Sequence, residues 1–131
     1  MTAPAPIVLL VEADIIVRHA LAEYLRECGF TVFEAIDGEE ARTALSSREI
    51  EIDVVLADMM TPGSGFGLRQ WIMRENLTPE VILAGSLEKA VAQAGTLCNE
   101  EGPAVTKPYA HHLVLDHIRR AIARRNNGRK S

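Results

Sequence analysis

The sequence predicts one α/β domain: a doubly wound, five-stranded parallel sheet with helices on both faces. Two observations carry that prediction. Five short apolar runs alternate along the chain with segments of helical periodicity, the pattern of strands joined by right-handed helical crossovers. Several of these runs also end on charged residues: Glu12 and Asp14 after the first, Asp58 after the third, Lys107 after the fifth. In an open parallel sheet such ends converge on the crevice where chemistry is usually found.

The first run, residues 7–11 (IVLLV), is short enough for a buried strand. Behind it Val17, Leu21, Tyr24, Leu25 and Cys28 share one helical face, with Arg18, Glu23, Arg26 and Glu27 mainly off it. Gly29 stops that helix. Residues 30–35 read as the second strand, Asp37-Gly38 as a turn, and 39–48 as a helix with Ala41, Ala44 and Leu45 inward. The third strand, 53–58, stops on Asp58 because Pro-Gly-Ser-Gly at positions 62–65 makes a loop. Asp58 is therefore expected at a strand end, exposed enough to react and rigid enough to be aimed.

The next helix carries Leu68, Trp71 and Ile72 and is broken by Thr78-Pro79. Residues 81–84 form the fourth strand, 87–99 an alanine-rich helix and 104–106 a short fifth strand. The last helix, about 110–125, is expected to bury Leu113, Val114, Ile118, Ala121 and Ile122. Residues 1–6 read as an extension, 7–125 as the domain and 126–131 as a disordered polar tail.

With 131 residues there is room for one core, and 47% hydrophobic with 24% charged residues suits a soluble globular chain. No apolar run approaches the roughly 18 residues of a membrane span, and the opening MTAPAP lacks the pattern of a signal peptide. A cytoplasmic protein with no membrane partner is expected. Cys28 and Cys98 have no metal-ligand spacing and read as reduced, packed thiols. The net charge of −4 argues against a nucleic-acid partner. Arg119, Arg120, Arg124, Arg125, Arg129 and Lys130, six of the fourteen basic residues, read as a solvated helix face and frayed tail, with a basic patch for an acidic partner or nucleic acid as the alternative. His111-His112 lacks a third ligand and reads as a solvated helix start, His19 as a lone helical histidine, and Trp71 and Phe66 as core.

Alone, Asp58 reads equally well as a turn or capping residue. Converging with Glu12, Asp14 and Lys107, it becomes a candidate nucleophile. Carboxylates beside one lysine suit a hard cation and a phosphoryl group. Mg²⁺ takes oxygen ligands and keeps several waters, while an ammonium neutralises phosphoryl oxygens as a carboxylate attacks. The first strand–helix loop, 11–15, has no glycine and is acidic, so it does not cradle a nucleotide pyrophosphate.

The segments LLVEADIIVRHALAEYLRECGF, DVVLADMMTPGSGFGL and VTKPY, in that order and spacing, resemble the receiver domains of two-component response regulators across about residues 7–125. The resemblance implies the flavodoxin-like receiver fold and phosphorylation of Asp58 by a histidine kinase or histidine phosphotransfer protein. It further implies a Lys107 that contacts the phosphoryl group and a cis Lys107-Pro108 bond. For Mg²⁺ it implies Glu12 and Asp58 as ligands, with Asp14 and the Met60 backbone carbonyl as further candidates. The chain is expected to be a stand-alone phosphoacceptor rather than an enzyme, to signal through a downstream protein, and to be a monomer or weak homodimer.

Four departures from the family pattern stand out. The second of two adjacent acids after the first strand is Ala13, which implies weak Mg²⁺ binding. The hydroxyl position at the end of the fourth strand is Gly85, with Ser86 one residue late. The aromatic position three before the lysine is Ala104, and the loop after Asp58 is one residue short before Gly65-Phe66. A degenerate pseudo-receiver acting as a phosphorylation-independent docking module is therefore the alternative reading. A metal-dependent phosphohydrolase is a third, without a second positioned acid or base.

Overall fold

Alternation within each strand decides the architecture, because successive side chains of a strand point to opposite faces. In β1 (Ile7–Val11), Val8 and Leu10 enter one core and Leu9 and Val11 the other. The computed structural model describes residues 4–47, 49–85 and 105–129. Its strands β2 (Thr31–Ala35), β3 (Val54–Asp58), β4 (Glu80–Gly85) and β5 (Val105–Thr106) join β1 in the order β2-β1-β3-β4-β5, every pair parallel.

Helices cover both faces. Val8, Leu10, Val54 and Leu56 pack with Leu21 and Leu25 of α1 (Ile15–Glu27) and with Val114 and Ile118 of α4 (His111–Arg129). On the other face, Leu9, Val11, Val55 and Ala57 pack with Ala41 and Leu45 of α2 (Gly38–Ser46) and with Leu68 and Ile72 of α3 (Phe66–Arg74). Each fully buried Val or Leu stabilises the fold by roughly 1.5–3 kcal/mol. Central β3 is buried throughout, Asp58 included, so it reads as a continuous apolar run rather than an alternating one. The chain order reverses between β1 and β3, which opens the crevice at their carboxyl ends.

Local chemistry sets the helix ends. Asp14 caps α1, its Oδ1 accepting from the Ile16 and Val17 amides at 2.9 and 3.1 Å. Gly29, at φ 100°, ends that helix in the left-handed region. Asp37 caps α2 by accepting from the Glu40 amide, while Glu40 Oε1 accepts from the Ile36 amide, both at 2.9 Å. Gly38 is the first residue of α2 rather than part of a free turn. A Cβ there would lie 1.8 Å from the Gly63 carbonyl oxygen, so glycine is what lets the loop after β3 press against α2.

Several expectations need correction. α2 ends at Ser46, not 48, because Ser47 already has extended backbone. α4 runs on to Arg129 instead of giving way to a disordered tail after 125. Arg125 explains this: its side chain is not on a solvated face but buried, 4% exposed, against the bottom of the sheet. It donates to Asp53 Oδ1 at 2.7 Å, Glu51 Oε1 at 2.8 Å, and Thr78 Oγ1 at 3.1 Å. A helix so anchored propagates through polar residues at one backbone bond each. In α4 Leu115 is buried and Leu113 is half exposed, the reverse of the expected assignment at 113. Arg18, placed off the apolar face of α1, is buried as well. Its guanidinium donates to the Glu12 carbonyl at 2.9 Å and to Glu34 Oε1 at 3.0 Å, and such pairing makes its burial tolerable. The expected helix over 87–99, together with Ser86, Cys98 and Ala104, lies outside the described residues.

Two predictions follow from these ion pairs. Arg125→Ala leaves the Asp53 carboxylate uncompensated and should cost about 3–5 kcal/mol in denaturant unfolding, whereas Arg124→Ala, at an exposed site, should cost under about 0.5 kcal/mol. Equal effects at the two positions would refute the anchoring role. The second concerns Glu34. Burial works against its charge, but the Arg18 and Arg26 guanidiniums outweigh burial and hold the carboxyl below its ordinary value. The folded chain thus binds this proton less readily than the unfolded one. The stabilisation is complete above the ordinary value of 4.5 and is lost as pH falls through the lowered folded value. Wild type should therefore exceed Glu34→Gln in stability at neutral pH, with the gap closing in acid; a gap that does not change with pH would exclude this.

Candidate functional site

β1 and β3 lie side by side, with Val11 opposite Ala57, so the residues that follow, Glu12 and Asp58, emerge at the same level of the crevice. Glu12 is held there by backbone bonds on both sides. Its amide donates to the Ala35 carbonyl at 3.0 Å, and its carbonyl accepts from Arg18. Asp58 is the last residue of β3 and is followed by a turn in which the Thr61 amide donates to the Asp58 carbonyl at 3.3 Å. Lys107 follows β5, its amide donating to the Gly85 carbonyl at 2.9 Å, and the Lys107-Pro108 bond is cis.

The three side chains expected together are together. Lys107 Nζ donates to Glu12 Oε1 and lies 3.5 Å from Asp58 Oδ1, an ion-pair contact longer than a hydrogen bond. Asp58 is 5% exposed, more buried than a reactive strand-end carboxylate was expected to be. Met59, the next residue, packs into the core that α2 and α3 cover, and its amide donates to the Ala84 carbonyl at 2.7 Å. Burial works against the Lys107 charge, but the hydrogen bond to Glu12 and the Asp58 and Glu12 charges outweigh it. The ammonium is held above its ordinary value and stays charged at neutral pH. Tyr109, whose ring centroid is 5.5 Å from Lys107 Nζ, is pushed up by burial and by the charges of Glu12 and Asp58, so its phenol stays neutral.

Asp14 turns its Oδ1 to the α1 cap, and it is its backbone amide rather than its carboxylate that reaches the cluster, donating to Glu12 Oε2 at 3.1 Å. Ala13 contributes only its backbone amide, which donates to Thr61 Oγ1 at 3.2 Å. Gly85 ends β4 without a side chain, and a Cβ there would meet Met59 Sδ at 3.4 Å. Two contributors escaped the sequence reading. Arg18 braces Glu12 from below, and Thr61, 4% exposed, donates through its hydroxyl to Asp58 Oδ2 at 2.9 Å. A hydroxyl residue three positions after a strand-end acid, where a turn curls back, was the available signal for Thr61.

Among the described residues, no group of three or more His, Cys, Asp or Glu side chains forms a ready metal cage. The donor chemistry nonetheless fits a hard cation held mainly by water. Glu12 and Asp58 present carboxylates in one crevice, and Asp58 Oδ1 is buried with no hydrogen-bond donor of its own. Glu12 is already engaged at both oxygens, Oε1 by Lys107 and Oε2 by the Asp14 amide. Taken together, a bare buried carboxylate oxygen facing an ammonium can receive an electrophile that carries several anionic oxygens. No helix among the described residues is long and apolar enough to cross a membrane.

Comparison with known proteins agrees with this geometry. The fold matches the signal receiver domain of an HD domain-containing protein from Pseudomonas fluorescens Pf-5, with a TM-score of 0.80 at 23% identity over 99% of this chain and 96% of that one. It also matches the receiver domain of a signal transduction histidine kinase from Syntrophus aciditrophicus, with a TM-score of 0.77 at 25% identity over 91% of each chain. In sequence the chain is 27% identical over 122 residues to the aerobic respiration control protein ArcA of Escherichia coli K12, covering 93% of this chain and 50% of that protein. It is 38% identical over 82 residues to the transcriptional activator PfeR of Pseudomonas aeruginosa, covering 62% of this chain and 26% of that protein. The chain thus spans half or less of the length of these curated relatives. The family model of the response regulator receiver domain matches residues 8–119, and this chain belongs to that family of two-component signalling domains, with its flavodoxin-like fold.

Proposed function

We propose that the chain is a phosphoacceptor whose Asp58 takes a phosphoryl group from the phosphohistidine of a histidine kinase or phosphotransfer protein, and that it passes the signal to a protein partner. Receiver domains as a family accept phosphoryl groups, generally with Mg²⁺. The observation that carries the assignment to this residue is the state of Asp58 Oδ1: buried, without a hydrogen-bond donor, and 3.5 Å from Lys107 Nζ. In the transfer, a bond forms from Asp58 oxygen to phosphorus while the donor P–N bond breaks and its electron pair stays on the imidazole. A phosphoimidazolium donor leaves as neutral imidazole, so no further acid is needed. Lys107 balances the negative oxygens of the group in flight, and the low exposure of Asp58 excludes water from the attack.

Glu12 and Asp58 are the residues that would hold Mg²⁺, with the Met60 backbone carbonyl a further candidate; the cation would add positive charge beside the phosphoryl oxygens. Ile15 and Ile16, 66% and 79% exposed at the start of α1, offer an apolar landing next to the crevice for a donor domain. The retained Asp58–Lys107 pair favours this reading over a docking module that has lost phosphorylation, which would have no use for a bare carboxylate oxygen facing an ammonium.

Wild type incubated with acetyl phosphate and Mg²⁺ should gain the mass of one phosphoryl group, and Asp58→Asn should gain none while melting no lower than wild type, since it removes one of two crowded carboxylates. A labelled Asn variant would move the acceptor elsewhere. Ala13→Asp restores a carboxylate beside Glu12 and should tighten Mg²⁺ binding about tenfold in a titration followed by amide shifts. Unchanged affinity would show that position 13 has no access to the cation.

A further inference from the structure

The two oxygens of Asp58 are not equivalent. Oδ2 accepts from the Thr61 hydroxyl at 2.9 Å, whereas Oδ1 has no hydrogen-bond donor and faces Lys107 Nζ at 3.5 Å. The Thr61 hydroxyl is itself oriented. Its oxygen accepts from the Ala13 amide at 3.2 Å, which directs its single proton towards Asp58. The residue is 4% exposed and is drawn in by the turn bond from its amide to the Asp58 carbonyl. One side chain therefore links the loop after β1 to the acid that ends β3, and it reaches the loop at Ala13, where the site has no carboxylate.

We propose that Thr61 is the positioning residue of this site: its hydroxyl fixes the Asp58 carboxylate through Oδ2 and presents Oδ1 as the nucleophilic oxygen. This rests on the phosphoacceptor reading above. Without the Thr61 bond the carboxylate would be held only by the Lys107 contact at Oδ1 and would be free to rotate about its terminal torsion, which in a buried site would turn Oδ1 away from the line of attack. The hydroxyl donates to Oδ2 and so leaves the lone pairs of Oδ1 for phosphorus. The lysine binds the oxygen that reacts, and the threonine binds the one that does not.

Two substitutions separate the hydroxyl from the methyl group. Thr61→Val keeps the branched shape and loses the hydroxyl; Thr61→Ser keeps the hydroxyl and loses a buried methyl. Phosphorylation of the full chain by acetyl phosphate with Mg²⁺, timed by intact mass, should slow roughly tenfold in Thr61→Val and stay within about threefold of wild type in Thr61→Ser. Thermal melts of the same samples should show both variants folded at the assay temperature, so that the slow Thr61→Val and its rescue by serine report the hydroxyl rather than unfolding. A Val variant as fast as wild type, or a Ser variant as slow as Val, overturns the proposal while leaving the phosphoacceptor reading intact. A wild type that takes up no phosphoryl group removes that reading, and this assignment with it.

Discussion

Two carboxylates buried at the ends of neighbouring strands need a cation between them, and Lys107 is that cation. The side chains of Glu12 and Asp58 are 3% and 7% exposed, far too little for water to solvate two like charges a strand spacing apart. Lys107 approaches from β5, two strands away from β3 and three from β1 in the sheet order, so the ammonium must pass over the end of β4. That strand finishes on Ala84 and Gly85, residues with little or no side chain of their own. The crevice therefore depends on a register shared by four strands, and a slip in any of them would separate the charges.

The same chemistry appears at the opposite end of the sheet with a different outcome. Arg125 meets Asp53 and Glu51 there, and Asp53 Oδ2 accepts from the Ile7 amide at 2.8 Å, so both carboxylate oxygens of Asp53 are bonded. Thr78 takes further donors from the same guanidinium through its carbonyl and its hydroxyl. A network satisfied to this degree ties α4 to the strand beginnings and has nothing left for a ligand. At the carboxyl end, among the described residues, Asp58 Oδ1 remains without a hydrogen bond, as do the buried Ser64 and Tyr109 hydroxyls. An arrangement that leaves a buried acceptor bare is costly, and it is at functional sites that such costs are retained.

Around Glu12 the fold is reinforced from below. Arg18 joins the Glu12 carbonyl to Glu34 on β2, and Arg26 adds a contact to Glu34 at 3.2 Å and a bond to the Val32 carbonyl at 2.9 Å. α1 is thereby locked to the two strands it bridges. The loop that carries Ala13 is short and starts from a fixed Glu12, and the Asp14 cap leaves it little freedom. On the other side, Gly38 lets the loop after β3 approach α2 closely enough for its amide to donate to the Pro62 carbonyl at 2.8 Å. Asp58 and Thr61 are thus mounted between two constrained segments, which suits the proposed role of Asp58 as a phosphoacceptor.

Local pattern alone determined much of this protein. Apolar runs and helical periodicity marked β1 to β5 and the described helices to within a few residues, because burial on two sheet faces imposes those periods directly on the chain. The strand-end positions of Glu12, Asp58 and Lys107 were legible for the same reason: a run that stops on a charge must stop where the sheet does. Only tertiary structure decided what each polar residue does there. Arg18 and Arg125 look like surface charges until β2 and the loops before β3 and β4 supply their partners. Asp14 reads as an acid of the strand end until the α1 amides engage its Oδ1, and Thr61 looks like an ordinary turn residue until its hydroxyl meets Asp58. Composition and period report where a side chain is carried, whereas hydrogen-bond partners 16 to 74 positions apart exist only once the strands have found their order.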